Sequence, residues 1–215
     1  MDKPIIVCDL GGVLINLNVE RCTSRFRELM GEENLRNALG LDDDGEGVKA
    51  VSVANRQLMA DFERGLISAE DFVSEVQRFC KAGTTREAVT EAWMSMLADP
   101  PEERIVYLRA LRQRGYQLYL LSNGNDLHFH YINDRYHLDE CFEQMFLSQE
   151  MHIAKPEKEI YEQVEAAIRP KRSVEAEEKP EVIFVDDLPQ NRLAAEQTVG
   201  WKTCASLDEL KRILG

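Results

Sequence analysis

Three short, wholly apolar runs in this chain stop on polar groups: IIVC stops at Asp9, the YLL of YQLYLLSN at Ser122, and VIFV at Asp186 and Asp187. A run that is apolar on both faces suits the interior of a parallel sheet, because helices cover both of its faces. The strand ends of one polarity then share an edge, and open α/β sheets bind their ligands there. The pattern predicts an α/β parallel sheet with one hydroxyl and two or three carboxylates gathered along one rim.

The sequence between these runs supplies the helices. After the first strand (5–8), Asn18 to Ala98 shows helical spacing with no strand-like alternation: Cys22, Phe26 and Leu29, then Phe72, Val76 and Phe79 behind Ser68, a residue suited to an N-cap. Thr84 and Glu87 have the spacing of a capping box ahead of Trp93, Met96 and Leu97. After Pro100 and Pro101, a helix carrying Ile105, Leu108 and Leu111 is expected to end near Gly115. Gln144 to Leu147 reads as a strand, Lys155 to Ile168 and Asn191 to Val199 as helices, and WKTCA, from Trp201, as a weak last strand. Such alternation is that of a parallel sheet. The charged, proline-flanked RPKRSVEAEEKP (169–180) reads as a solvated connection.

Charge narrows the partners. Lys and Arg total 26 against 39 Asp and Glu, a formal charge of -13, so nucleic acid and anionic membrane surfaces are repelled. No apolar run approaches the ~18 residues of a membrane span. Five scattered cysteines, with no C-x-x-C pair, suggest neither a disulfide frame nor a zinc site, so a reducing, cytoplasmic setting is expected. The expected assembly is a monomer or homodimer.

A fourth element joins the rim. Lys155, in IAKPEKEIY, lies 33 residues after Ser122 and 32 before Asp187, room for the elements that return each segment to the same edge. Carboxylates gathered without an excess of base call for a hard divalent cation, and Mg²⁺ prefers one or two carboxylates with water and phosphate.

Four separated motifs, VCDLGGV, LLSNGN, AKPEKEIY and FVDDLPQN, resemble in order and spacing the haloacid dehalogenase-like hydrolase superfamily over the whole chain. FERGLISAEDF, SNGNDLH and LSQE look like the branch containing bacterial glucose-1-phosphate phosphatases and the N-terminal phosphatase domain of soluble epoxide hydrolases. The resemblance implies a Rossmann-like core (1–15 and 101–215) with helices on both faces and an inserted helical cap (16–100). It also implies a Mg²⁺-dependent phosphatase of small phosphorylated metabolites, with sugar phosphates the expected class.

By that resemblance Asp9 is the nucleophile, forming an aspartyl-phosphate, and a metal ligand. Ser122, the Asn123 backbone amide and Gly12 hold phosphoryl oxygens, and Lys155 offsets the charge massed there. Asp187, aligned with Asn191, is the second metal carboxylate, with Asp186 in a supporting or ligand role and the Gly11 carbonyl a further metal ligand. The family usually has a second aspartate two residues after the first, serving as general acid and base; here that position is Gly11. Two alternatives follow: a phosphate- and metal-binding regulatory module with weak turnover, and a dehalogenase, which has no need of the Asp186 and Asp187 pair. Elsewhere, LDDDGEG (41–47) lacks the glutamate of a calcium loop and reads as a solvated turn. His128 and His130 read as structural, Trp93, Met94 and Met96 as cap core, and Cys8 as inert packing.

Overall fold

The computed structural model describes residues 3–39, 53–98, 102–169 and 180–215. The acidic run at 41–47, the Pro100–Pro101 pair and nearly all of the charged connection at 169–180 lie outside the described residues.

Five strands, β1 (Ile5–Cys8), β2 (Leu118–Ser122), β3 (Gln144–Leu147), β4 (Val182–Val185) and β5 (Lys202–Cys204), form one sheet in the order β3-β2-β1-β4-β5. All pairs are parallel; Cys8 lies beside Leu120 on one flank and Val185 on the other. The chain builds outward from β1 to β3, then returns to β1's other flank with β4. This reversal puts the ends of β1 and β4 side by side at the switch point.

Alternation along the strands feeds two cores. Ile6 and Cys8 pack with Ile105, Leu108 and Leu111 of α5 (Glu102–Gln113), Phe129 and Ile132 of α6 (Asp126–Tyr136), and Leu210 of α10 (Leu207–Leu214). Ile5 and Val7 face Ile160, Tyr161 and Val164 of α8 (Lys158–Ile168) and Ala195 of α9 (Pro189–Val199). Helices therefore cover both faces, as the doubly apolar strands require. The helix expected from Lys155 begins at Lys158, because Pro156 disfavours a helical conformation at the residue before it.

Between β1 and α5 the described chain is helical. α1 (Val19–Leu39), which breaks at Gly31, α2 (Val53–Glu63), α3 (Ala69–Gln77) and α4 (Arg86–Met94) enclose a third core around Phe26, Phe62, Phe72 and Trp93. Phe62 stacks on Phe72 with centroids 4.1 Å apart. Ser68 caps α3 as expected, accepting from the Asp71 N–H at 3.0 Å. The cap of α4 is Thr85, not Thr84: Thr85 Oγ1 accepts from the Ala88 N–H at 3.2 Å, while Thr84 closes the preceding turn onto Lys81 O. The strands into and out of this helical unit pair antiparallel, Leu17 against Leu97, with Asn18 N–H to Met96 O at 2.7 Å and Ala98 N–H to Asn16 O at 3.1 Å. A second attachment forms where α2 ends. The Ser148 hydroxyl, in α7 (Ser148–Met151), donates to Glu63 O, His152 Nδ1 to Arg64 O at 2.7 Å, and Arg64 pairs with Glu157 at 2.6 Å. Gly65 (φ 63°) lies so close to the Gln149 carbonyl that a Cβ there would collide with it.

Candidate active site

The structure brings Asp9, Lys155, Asp186 and Asp187 together, and sets Ser122 at the end of the neighbouring strand β2. Asp9, just past β1, is 6% exposed, and its N–H donates to Val185 O at 2.8 Å, which ties it to β4. Its Oδ1 accepts from the Leu10 N–H at 2.6 Å and from Lys155 Nζ at 2.9 Å. Oδ2 carries no hydrogen bond among the described residues. Lys155 Nζ also meets Asp186 Oδ2 at 2.7 Å and donates to Leu121 O at 2.9 Å, so one buried ammonium joins β1, β2 and β4.

Ionisation here is a contest between desolvation and pairing. Burial pushes Asp9 up to about 6, with Lys155 pulling down and Asp186 pushing further up. Burial also pushes Lys155 down, but the Asp9 and Asp186 carboxylates outweigh it and hold the ammonium above the ordinary lysine range. Asp187 is raised by partial burial and by its neighbour Asp186. The Cys8 thiol, fully buried, is pushed far up and is unreactive.

The adjacent aspartates differ sharply. Asp186 is completely buried, with its carboxylate taken by Lys155, the Leu188 N–H (2.9 Å) and Asn191 Nδ2 (3.1 Å to each oxygen). Asp187 is exposed. Arg192, which sequence reasoning passed over, donates to the carbonyls of Asp186 at 2.7 Å and Asp187 at 2.9 Å and so fixes their turn. One oxygen from each of Asp9, Asp186 and Asp187 lies within 4.8 Å of the others. Gly12 (φ 75°) packs on the Asp187 carboxylate, and a Cβ there would overlap it. The Gly12 N–H donates to Ile15 O at 2.8 Å, which closes the turn after Asp9. Three carboxylates of one sign, crowded by a glycine and opposed by a single ammonium, suit a hard divalent cation.

Ser122 ends β2, buried at 2% exposure, beside Asn123. Asn125, also passed over, caps α6 by accepting from the His128 N–H at 3.0 Å. His128 is structural: it stacks on Trp93 (5.2 Å, 7°) and bonds Trp93 O at 3.2 Å, while His130 is exposed. Trp93 and Met96 line a cavity beside Ser122 as well as packing the helical unit, and Met94 lies on a separate groove. Gly11 has no positive φ, and a Cβ there would meet only the Leu17 side chain, at 3.0 Å.

Comparison with known proteins agrees with this geometry. The chain is 23% identical over 192 residues to a D-ribitol-5-phosphate phosphatase of Bacteroides thetaiotaomicron, covering 86% of this chain and 84% of the relative. It is 26% identical over 170 residues to a sesquiterpene phosphatase of Aspergillus oryzae, covering 76% and 83%. Among solved structures, a HAD family enzyme from Bacteroides thetaiotaomicron, in complex with magnesium and inorganic phosphate, superposes with a TM-score of 0.73 at 30% identity, over 94% of this chain and 93% of that one. The family model for haloacid dehalogenase-like hydrolases matches residues 4–197, and the chain belongs to that family of hydrolases.

Proposed function

We infer that this hydrolase is a Mg²⁺-dependent phosphatase of small phosphate monoesters that works through an aspartyl-phosphate on Asp9. The observation that carries the reading is the Lys155 ammonium, held 2.9 Å from Asp9 and 2.7 Å from Asp186. It fixes one oxygen of a buried carboxylate and leaves the other to attack. The phosphatase names of two relatives, and the magnesium and phosphate in a solved one, support it.

Asp9 attacks phosphorus, a P–O bond forms to its carboxylate, and the bond to the alcohol oxygen breaks. That oxygen leaves with the electron pair and takes up a proton from solvent, and the water consumed in the next step returns one. Water then attacks the acyl phosphate, which returns Asp9 and releases phosphate. Ser122 and the Asn123 backbone amide hold phosphoryl oxygens, and Lys155 offsets their charge. Asp9, Asp187 and the Gly11 carbonyl would hold Mg²⁺, and Asp186, engaged by Lys155 and Asn191, would orient the site or add a ligand. When bound, the ion supplies positive charge against the developing phosphoryl anion. Residues 16–100 would act as a cap over this edge. Five free cysteines fit a cytoplasmic setting, and a monomer or homodimer suffices, since every group named comes from one chain. No helix among the described residues is long and apolar enough to cross a membrane.

Gly11 favours a second reading, a module of the same fold that binds phosphate and metal with little turnover. Phosphate release from a panel of monoesters, in Mg²⁺ and in excess chelator, separates the two. Turnover that needs Mg²⁺ supports the phosphatase. Phosphate binding without release from any ester contradicts it.

A further inference from the structure

A cavity of about 140 Å³ lies between the phosphate residues and the helical unit. Gly11, Ser122 and Asn123 line it, whereas Asp9 and Lys155 do not. It therefore adjoins the residues assigned to the phosphoryl group without enclosing the nucleophile, a place open to an ester's alcohol.

Its walls are mostly apolar, with Ile15, Leu17, Met59, Met96, Leu97 and Phe129 among them. Among the described residues no lysine or arginine lines it, so a second phosphate or a carboxylate on the leaving group would find no counter-ion there. Two polar side chains on the wall are already satisfied. Asn125 Oδ1 accepts from the His128 N–H at 3.0 Å and Trp93 Nε1 at 3.4 Å, its Nδ2 meets His128 Nδ1 at 3.3 Å, and the remaining His128 nitrogen meets Trp93 O. Glu63 sits at the corner whose backbone is tied to Ser148, and burial pushes its carboxyl up against the pull of Arg64, itself paired with Glu157. A polyol entering this space would lose water at several hydroxyls and find few partners, a costly exchange.

Gln149 is different. It is 6% exposed, lines the same cavity, and its side-chain oxygen has no hydrogen-bond partner among the described residues. A buried orphan acceptor carries its full desolvation cost until a donor reaches it. The contact of Gly65 with the Gln149 backbone, and the Ser148 bonds to Glu63 O and from the Gly124 N–H (3.1 Å), fix the backbone from which that side chain projects. A cavity of this size lined by aliphatic and aromatic side chains takes a molecule such as benzene, about six carbon atoms.

We propose that this cavity receives the leaving group, that the substrate is the phosphate ester of a small, largely apolar alcohol carrying one further hydroxyl, and that Gln149 reads that hydroxyl. The proposal rests on the phosphatase reading above and departs from the sugar-phosphate expectation of the family resemblance and from the D-ribitol 5-phosphate named for one relative. It predicts the ranking of three esters in Mg²⁺: benzyl phosphate, its ring-hydroxymethyl analogue, and a linear polyol phosphate. Both aromatic esters should exceed the polyol ester in kcat/KM by about tenfold or more, and the hydroxymethyl ester should have the lower KM of the two, by up to about tenfold for one hydrogen bond. Gln149→Leu should collapse the KM ratio of the two aromatic esters toward one while their kcat values stay in step. Removing an orphaned buried oxygen should leave the melting temperature at or above that of the wild type. A polyol phosphate ranked first, or an undiminished KM ratio in Gln149→Leu, overturns the proposal and leaves the phosphatase intact. Absence of phosphate release from all three esters, and from a wider panel, overturns the phosphatase reading and this proposal with it.

Discussion

The side chain of Asn123 and the backbone of Lys155 exchange two hydrogen bonds: Asn123 Nδ2 donates to Lys155 O at 2.8 Å, and the Lys155 N–H donates to Asn123 Oδ1 at 2.8 Å. The residue that follows β2 thus sets the backbone from which the site's one buried ammonium projects. Asn123→Ala removes both bonds. At about 1 kcal/mol each, the expected loss is roughly 2 kcal/mol in denaturant unfolding, and phosphate release should fall at least about tenfold as the ammonium loses its aim. A variant as stable and as active as the parent would show that the pair positions nothing.

Lys155→Met tests the ammonium itself. It would leave Asp9 and Asp186 as neighbouring buried carboxylates with no cation between them, and breaking such a pair costs about 3–5 kcal/mol. The variant should melt well below the wild type, and Mg²⁺ should raise its melting temperature more than it raises the wild type's. Equal melting temperatures without metal would contradict this electrostatic account.

The raised Asp9 carboxyl fixes a pH dependence. Its ordinary value is 3.8 and its folded value about 6, so between those limits the folded chain holds a proton that the unfolded chain has released. Without metal, this group makes stability fall as pH rises through that window and contributes no further change above it. Mg²⁺ competes with the same proton, so its affinity should climb by up to about tenfold per pH unit below about 6 and level off above. Calorimetric titrations across the window measure this, and a flat affinity profile would count against Asp9 as a ligand.

The sequence was most legible where side-chain chemistry is local. IIVC and Gln144–Leu147 are strands with the expected limits because their neighbours break the apolar pattern sharply. Asp9 and the Asp186–Asp187 pair meet, with Ser122 on the strand beside them, because parallel strands put their ends on one edge. The different fates of Asp186 and Asp187 were not legible, since they depend on Asn191 and Arg192 reaching back from α9. Nor was the place of Gln149, which depends on how α2 ends against α7. Thr84 and Thr85 illustrate a smaller limit: two equivalent caps stand side by side, and the turn before them decides between them.

Gly11 governs the leaving group. With no acid two residues after the nucleophile, the rate of phosphoenzyme formation should depend steeply on leaving-group acidity, aryl and acyl phosphates outrunning alkyl ones. The backbone at Gly11 has no positive φ, and the Cβ of Gly11→Asp would press only on the Leu17 side chain, which must shift slightly. The substitution should flatten the dependence and speed the poorest leaving groups by about 10²-fold or more. A dependence already flat in the wild type would mean that another group, with Glu63 the carboxyl on the cavity wall, donates the proton.

Turnover through Asp9 requires a covalent phosphoryl group on its carboxylate. Rapid acid quench during turnover in Mg²⁺, followed by mass spectrometry of the peptides, reads it directly. The account predicts the added mass of one phosphoryl group on the peptide carrying Asp9, absent in chelator and absent from Asp9→Asn, whose phosphate release should also stop. Phosphate release by Asp9→Asn at the wild-type rate, with no phosphorylated peptide in either protein, would contradict it.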